Sequence, residues 1–304
     1  MEEKISVILV NYNGLSYNDA CIESLLASTG CGRLQIVVVD NASTDGSYAK
    51  LRERWGRHPQ VTLVQAERNL GFAGGNNIGI RKALETAPDF LMLLNNDTVI
   101  EPDAIGHLIA LQKETGGIVV PKILYADRRD IVWSAGGEFS PVIEKSRHIG
   151  YNKPDGPAYD EDCSCSFANG CCFLMSHSVF DKIGYMDERF FLYYEDNEYS
   201  LRAVSRNISI LYCHKAVVYH KVNGATKGNE KAANAYYIAR NWLLCARMYL
   251  GKRFALFLAY FLLNRLVWVV LWLLRGRRDM VTATIEAWKD YRRGITGPYR
   301  GKCR

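Results

Sequence analysis

Two phosphate-binding signatures are missing from this 304-residue chain: no Gly-x-Gly-x-x-Gly follows its first strand-like run, and no Gly-Lys-Ser/Thr loop occurs anywhere. Their absence sets aside the dinucleotide fingerprint and the phosphate loop as ways of holding a ligand. Paired Cys-x-x-Cys knuckles are missing too. The nine cysteines are scattered apart from Cys163, Cys165, Cys171 and Cys172, whose spacing favours reduced thiols in a loop and a buried strand over a zinc site. There is no internal repeat or low-complexity tract. Met1-Glu2-Glu3-Lys4 runs straight into the first strand without the basic and apolar regions of a secretory signal, so the body is expected to stay in the cytoplasm.

What is present is a core and an uneven charge. Apolar residues make up 48% of the chain, enough for a substantial interior. The +6 net charge hides a division: residues 240–304 hold 14 Lys and Arg against 3 Asp and Glu, a balance of +11, whereas the first 239 residues carry −5. A nucleic-acid binder would spread its basic stripe across the folded body, so no nucleic-acid partner is expected. A mildly acidic body with a basic tail fits a tail that meets an anionic membrane surface.

The first half alternates strand-like runs at residues 5–10, 34–40, 61–65 and 90–94 with helix-like patterns at 17–28, 47–55 and 73–85. This predicts an α/β fold whose residues 1–117 form a Rossmann-like half, with strand C-terminal ends gathered on one edge. Asn11, Asp40, Asn69 and Asp97 fall just beyond such ends. Residues 118–250 predict a mixed half: a hairpin about Gly136 and Gly137, a strand at 173–175, helices at 176–184 and 196–206, and closing strands at 208–214 and 216–220. Residues 221–231, with Gly224 and Gly228, read as a connector and lid, followed by a helix at 232–250.

Two acidic stations stand far apart in this pattern. Asn95-Asn96-Asp97 follows a hydrophobic run, and Glu195-Asp196 opens a predicted helix. The first can hold a divalent cation against a diphosphate, because hard oxygen ligands suit magnesium or manganese. The second can take a proton, although first-turn charges that favour the helix dipole explain its position equally well. Glu198 and Arg202, one helical turn apart, predict a supporting ion pair. Asp40 is followed by Asn41-Ala42-Ser43-Thr44-Asp45; it can accept a hydrogen bond from a pyrimidine N3–H or serve as a simple turn residue. Asn69-Leu70-Gly71-Phe72, with Gly74, Gly75, Asn76 and Asn77 behind it, makes a glycine-rich helix start whose free N–H groups can meet a ligand. Together these features point to transfer from a nucleotide-activated donor to a hydroxyl acceptor.

Taken in order, the segments resemble family 2 of the inverting glycosyltransferases, which have the GT-A fold. The resemblance runs from about residue 5 to residue 241. It rests on Val10-Asn11-Tyr12-Asn13, the segment from Asp40 to Asp45, Asn69-Leu70-Gly71-Phe72, Asn95-Asn96-Asp97 in the metal-motif position, and Glu195-Asp196 in the base-motif position. Val218-Tyr219-His220 and Tyr236-Tyr237-x-x-Arg240-Asn241 complete the series. The resemblance implies nucleotide-binding roles for Asn11, Asn13, Asp40, Ser43, Asn69, Gly71, Phe72, Asn76, Asn95 and Asn96. It implies Asp97 and His220 as ligands of Mn2+ or Mg2+, although His220 read alone is a packed strand-end histidine, with Asp196 as the base and Glu195 as its orienting neighbour; Arg240 and Asn241 read as a phosphate or lipid contact, because a guanidinium suits phosphate geometry, or as a basic membrane edge. One departure is plain: the metal motif usually reads Asp-x-Asp, and Asn95 in its first place leaves Asp97 as the only carboxylate.

The nearest subgroup is the rhamnosyltransferase-like enzymes of bacterial cell-surface polysaccharide assembly. That resemblance implies L-rhamnose moved from dTDP-rhamnose to a lipid-linked glycan acceptor. UDP-galactofuranose, UDP-galactose and UDP-glucose are the alternative donors, and a non-catalytic nucleotide-sugar-binding scaffold is the alternative of another class. The Gln-x-x-Arg-Trp motif of processive synthases is absent.

Residues 251–304 form a basic, apolar C-terminal region. Residues 254–274 are apolar apart from Asn264 and Arg265, and as a helix they would cross about 30 Å of hydrocarbon. Arg265 near the centre would cost about 2.5 to 3.5 kcal/mol on insertion scales, and basic residues flank both ends. The expectation is a peripheral or monotopic helix at the cytoplasmic face of the cell membrane. A span and a homodimer contact are the alternatives.

Overall fold

A computed structural model describes residues 2–140, 143, 145–221 and 232–301 of the chain. Its first strands are β-branched and aliphatic runs: β1 (Lys4–Asn11), β2 (Arg33–Asp40), β3 (Val61–Gln65) and β4 (Phe90–Asn95). All pair in parallel, in the order β3-β2-β1-β4. The crossovers are α1 (Asn18–Leu26), α2 (Ser47–Trp55) and α3 (Gly71–Leu84). Side chains alternate across β1, so Ile5, Val7 and Leu9 pack with α1 and α2 on one face, whereas Ile8 packs with α3 on the other. Every strand therefore delivers its C-terminal end to the same edge.

Beyond β4 the chain adds β5 (Thr98–Ile100), α4 (Ala104–Thr115), β6 (Ile118–Tyr125), β7 (Ile131–Ala135), β8 (Gly137–Phe139), β9 (Ser146–His148) and β10 (Lys153–Pro154). There follow β11 (Cys163–Cys165), β12 (Cys172–Ser176), α5 (His177–Ile183), α6 (Glu195–Ser205) and β13 (Ile210–His220). β12 runs antiparallel to β4 and β6, which makes the sheet mixed. β13 lies parallel to β6 and antiparallel to β5 and β11.

Three details differ from the sequence expectation. α4 was not anticipated, although Ile105, Leu108 and Ile109 recur on one buried face and Gly116 ends the helix at φ +69°. The two closing strands are one, β13, with its register broken between Cys213 and Val217. Gly136 is not a hairpin tip. At φ +81° it bends the chain from β7, in the main sheet, into β8, which pairs with β9.

The C-terminal helices are α7 (Ala232–Tyr249), α8 (Phe254–Leu274) and α9 (Arg278–Arg293). α8 folds back along α7: Phe257 and Phe261 lie against Trp242, with ring centroids 5.4 and 5.7 Å away, and Trp272 packs with Ala235 near the start of α7. α9 returns across both, burying Ala283 and Ala287, and its Asp290 accepts a hydrogen bond from the Tyr236 hydroxyl at 2.7 Å. The outer face of α8 is left apolar and open, with Leu263 64% and Leu274 80% exposed. Most of the connector expected at 221–231, namely 222–231, lies outside the described residues.

Candidate active site

Three loops at the C-terminal edge of the parallel strands are stitched together by amides. Asn96 donates to Asn18 Oδ1 at 2.8 Å, Asn18 to Asn11 Oδ1 at 2.9 Å, and Asn11 to Asp40 Oδ2 at 2.8 Å. Asn11 also reaches the Ser43 and Ser47 hydroxyls. Asn13, in the left-handed region at φ 55°, donates its N–H to Ser43 Oγ and accepts the Thr44 N–H. Asp40 is 1% exposed, and its other oxygen accepts the Ser43 N–H at 3.1 Å, so as found it orders the loop. Asn69 caps the Gly71 N–H at 2.8 Å and takes a hydrogen bond from Asn41. Asn76 is buried and donates to the Phe72 carbonyl.

Asn95 ends β4, its N–H on the Cys171 carbonyl at 2.8 Å and its own carbonyl on the Thr98 hydroxyl. The β5–β13 ladder sets Thr98 opposite His220 and brings His220 Nε2 to 3.2 Å from Asp97 Oδ1. The two meet as charges rather than through an aligned hydrogen bond: Asp97 Oδ1 and His220 Nδ1 are buried atoms without hydrogen-bond partners. Burial alone would push the His220 imidazole down; the Cys171 sulfur and the Asp97 carboxylate outweigh it and hold it up at about 10. A cation between oxygen and nitrogen would displace that proton. Among the described residues no group of three or more His, Cys, Asp or Glu side chains is arranged to hold a metal ion. The pair fits a cation that takes its remaining ligands from phosphates and water, as magnesium and manganese do beside a diphosphate.

The second station opens α6. Asp196 accepts the Gly170 N–H at 2.9 Å and the Asn197 N–H at 2.8 Å. Burial raises its carboxyl above the usual aspartate range, and those two N–H groups pull against the rise. Glu195 is 5% exposed, its Oε2 has no partner, and burial together with the Asp196 charge pushes it well above the usual glutamate range. Glu198 pairs with Arg202 at 2.8 Å as the spacing predicts. The approach to α6 is strained: Phe191, Tyr193 and Tyr194 sit at φ 60°, 65° and 72°, conformations worth about 1–3 kcal/mol each for such side chains.

The stations converge on three residues. Asn169, Gly170 and Cys171 enter β12, with Gly170 held by Asp196 and Cys171 held by Asn95. Phe72, from the glycine-rich helix start, reaches the same point: a Cβ on Gly170 would lie 3.2 Å from its ring. From the mixed half of the sheet Trp133 packs edge-on against His220 at 4.7 Å and lies against His148 at 4.6 Å. Burial and the neighbouring His220 bring His148 down to about 4.

Arg240 and Asn241 require a correction. Arg240 is 1% exposed, and its guanidinium donates to the carbonyl oxygens of Gly297 at 2.7 Å and of Arg189 and Phe190 at 3.2 Å. Asn241 is fully buried and donates to the carbonyls of Phe190, Leu192 and Tyr193. Neither faces an open surface where a phosphate or lipid would arrive. Residues missed by sequence reasoning are Asn18, Asn169, Trp133 and His148. A short buried amide carries no motif, and only the pairing of distant strands brings those rings to His220.

A family model described as Glycosyl transferase family 2 matches residues 6–184. A low-salt glycan biosynthesis hexosyltransferase of Haloferax volcanii is 32% identical over 257 residues, 83% of this chain and 78% of that protein. An N-acetylglucosaminyl-diphospho-decaprenol L-rhamnosyltransferase of Mycobacterium tuberculosis is 25% identical, across 77% of this chain and 81% of its own. A dTDP-rhamnosyl transferase of Shigella flexneri is 24% identical, across 81% of each. Among solved structures, GalNAc-T7 with UDP, GalNAc and Mn2+ superposes with a TM-score of 0.67 at 18% identity, over 84% of this chain, which spans 50% of that one. S. aureus TarS 1-349 superposes at 0.51 and 16% identity, over 96% and 92%. The α/β GT-A-like architecture expected from the motifs is the fold observed.

Proposed function

The chain belongs to glycosyltransferase family 2, and on that premise we propose that it is a metal-dependent inverting hexosyltransferase moving L-rhamnose from dTDP-rhamnose to a lipid-linked cell-surface glycan precursor. The rhamnosyl donors and diphospho-lipid acceptor in the names of two relatives support the choice of sugar and acceptor. UDP-sugars are the competing donors, since uracil and thymine present the same N3–H.

One observation carries the reading: Gly170 and Cys171, adjacent in the chain, hold Asp196 on one side and the Asn95–Asp97 turn on the other. A sugar donor bound at the turn would have its reacting carbon beside the base. Inversion requires a single in-line displacement, so one base suffices. Asp196 takes the acceptor hydroxyl's proton, and Glu195, kept protonated by burial, orients a neighbouring group. Asp97 and His220 would hold Mn2+ or Mg2+, whose charge steadies the leaving diphosphate when bound. Asn11, Asn13, Ser43, Asn69, Gly71, Phe72, Asn76, Asn95 and Asn96 frame the nucleotide, and Asp40 would accept the pyrimidine N3–H once the Ser43 loop that covers it opens. Residues 1–117 serve the donor and 118–250 the acceptor.

Residues 251–304 attach the enzyme to the cytoplasmic membrane face. α8 has a mean hydropathy of 2.1 over its most apolar window, of which 11% is buried. Its two ends are both packed along α7, and α7 carries the buried Arg240 and Asn241, so a perpendicular crossing would drag those groups toward hydrocarbon. Lying in the interface with its open face in lipid avoids that cost.

A panel of nucleotide sugars, tested by turnover and by donor hydrolysis with the metal varied, tests the reading. Release of rhamnose from dTDP-rhamnose is expected. A protein that binds nucleotide but releases no sugar from any donor would be the scaffold that Asn95 first brings to mind.

A further inference from the structure

We propose that Arg240 and Asn241 are positioning residues for the base: they clamp the backbone of residues 189–194 in the left-handed turns that deliver Glu195 and Asp196 to the cleft. The inference rests on the reading of Asp196 as the base. Phe191, Tyr193 and Tyr194 are bulky residues of the kind that seldom enter the left-handed region, and three of them fall within four positions. A segment so strained keeps its course only if its surroundings fix it.

The surroundings do so from two sides. On one, the Phe72 N–H donates to the Phe191 carbonyl at 2.7 Å, and Gly71 at φ +74° leaves space where a Cβ would lie 2.1 Å from that oxygen. On the other, Asn241 Nδ2 lies 2.7 to 2.9 Å from three carbonyls of the segment, and Arg240 spans two more contacts. Tyr237 stacks on Phe191 at 5.4 Å and 17°. Spacing explains the motif: positions 236, 237, 240 and 241 share one face of α7. The face is braced from behind, because Arg240 also holds the Gly297 carbonyl and the Tyr237 hydroxyl accepts the Tyr299 N–H at 2.7 Å. The C-terminal helices thus form a wall of the catalytic centre, and the base moves if that wall moves.

The test uses the full chain in detergent, with turnover and donor binding measured side by side. Asn241→Ala should lower kcat at least about tenfold, while KM for the donor and its manganese-dependent Kd stay within about twofold. Arg240→Met should do the same, and Arg240→Lys should recover part of the loss, which keeps the test open if Asn241→Ala folds poorly. A purely structural role would lower the melting temperature of these variants and leave kcat per folded molecule at the wild-type value, and that result overturns the clamp. A rise in donor KM at unchanged kcat overturns it as well. The two readings separate cleanly: near wild-type turnover in Asp196→Asn removes the base, whereas loss there with full kcat in Asn241→Ala removes the clamp alone.

Discussion

Asp97 Oδ1 and His220 Nε2 lie 3.2 Å apart because one register pair, Thr98 opposite His220, joins the short strand after Asp97 to the last strand of the sheet. A cation held by this pair would therefore depend on the β5–β13 ladder as much as on Asp97 itself.

Asp97→Ala should abolish metal-dependent donor binding, because it removes the only carboxylate of the pair. Asn95→Ala should weaken it less, since an amide is a poor cation ligand, and His220→Ala should raise the metal concentration needed for half-maximal binding. Calorimetric titration of donor with and without manganese measures all three. Unchanged metal dependence in Asp97→Ala would remove this pair from the site.

Asp196→Asn should retain donor binding and lose turnover by at least about a hundredfold, the low end for loss of a general base. The wild-type pH profile has a required sign. The base must be deprotonated, and burial raises its pKa above 3.8, so kcat should begin to fall on acidification at a higher pH than an ordinary aspartate would give. An acid limb at or below 3.8 contradicts the assignment.

Glu195→Gln should exchange activity for stability. The folded protein keeps a proton on buried Glu195 that the unfolded chain releases near 4.5, so folding stability falls as pH rises from there toward the raised folded value. Glutamine has no such proton. Melting temperatures of the two proteins should agree near about pH 4 and diverge above it, with the variant higher by at least about 2 °C at about pH 8. Parallel curves would show that Glu195 is not desolvated in solution.

Leu263→Glu combined with Leu266→Glu places two charges on the open face of α8, where the native residues are 64% and 60% exposed. Sedimentation with anionic vesicles should drop at least about tenfold, and donor binding should be untouched. Retained vesicle binding with conversion of a dimer to a monomer would mean that a second copy covers this face. Topology itself is read at Cys303, outside the described residues, by impermeant labelling in cells after exposed Cys163 is replaced by serine. Labelling from outside would establish a span.

Most of the sheet was legible because its first strands are short apolar runs that have no other way to be buried. β1, β2 and β4 fall within a residue of their expected positions for that reason. The stations at Asp97 and Asp196 were legible as chemistry, since a carboxylate set beside a buried apolar run needs a proton, a cation or a hydrogen-bond donor to offset its lost hydration. Arg240 was misjudged for the converse reason. A guanidinium suits phosphate and peptide carbonyl alike, and the sequence says nothing of the unpaired carbonyls that the turns at 189–193 bring to it. Likewise the boundary expected after Leu250 marks a change of composition, yet the helices on its two sides pack together.

The amides at the strand ends have a direction. From Asn96, the neighbour of Asp97, each side chain gives its N–H to the next, through Asn18 and Asn11 to the carboxylate of Asp40. Dipoles aligned head to tail strengthen one another, and the positive N–H end of the row meets the Asp40 carboxylate beneath the Ser43 loop. Its three amides join the proposed cation site to the proposed pyrimidine pocket without a net charge of their own. An exchange of Asn18 for aspartate, equal in size, would set acceptor against acceptor at Asn11 Oδ1 and leave the row only the direct Asn96 to Asn11 Oδ1 hydrogen bond of 3.0 Å. Losses from single changes along it should therefore overlap: with two links cut, the damage to donor binding should be smaller than the sum of the separate cuts.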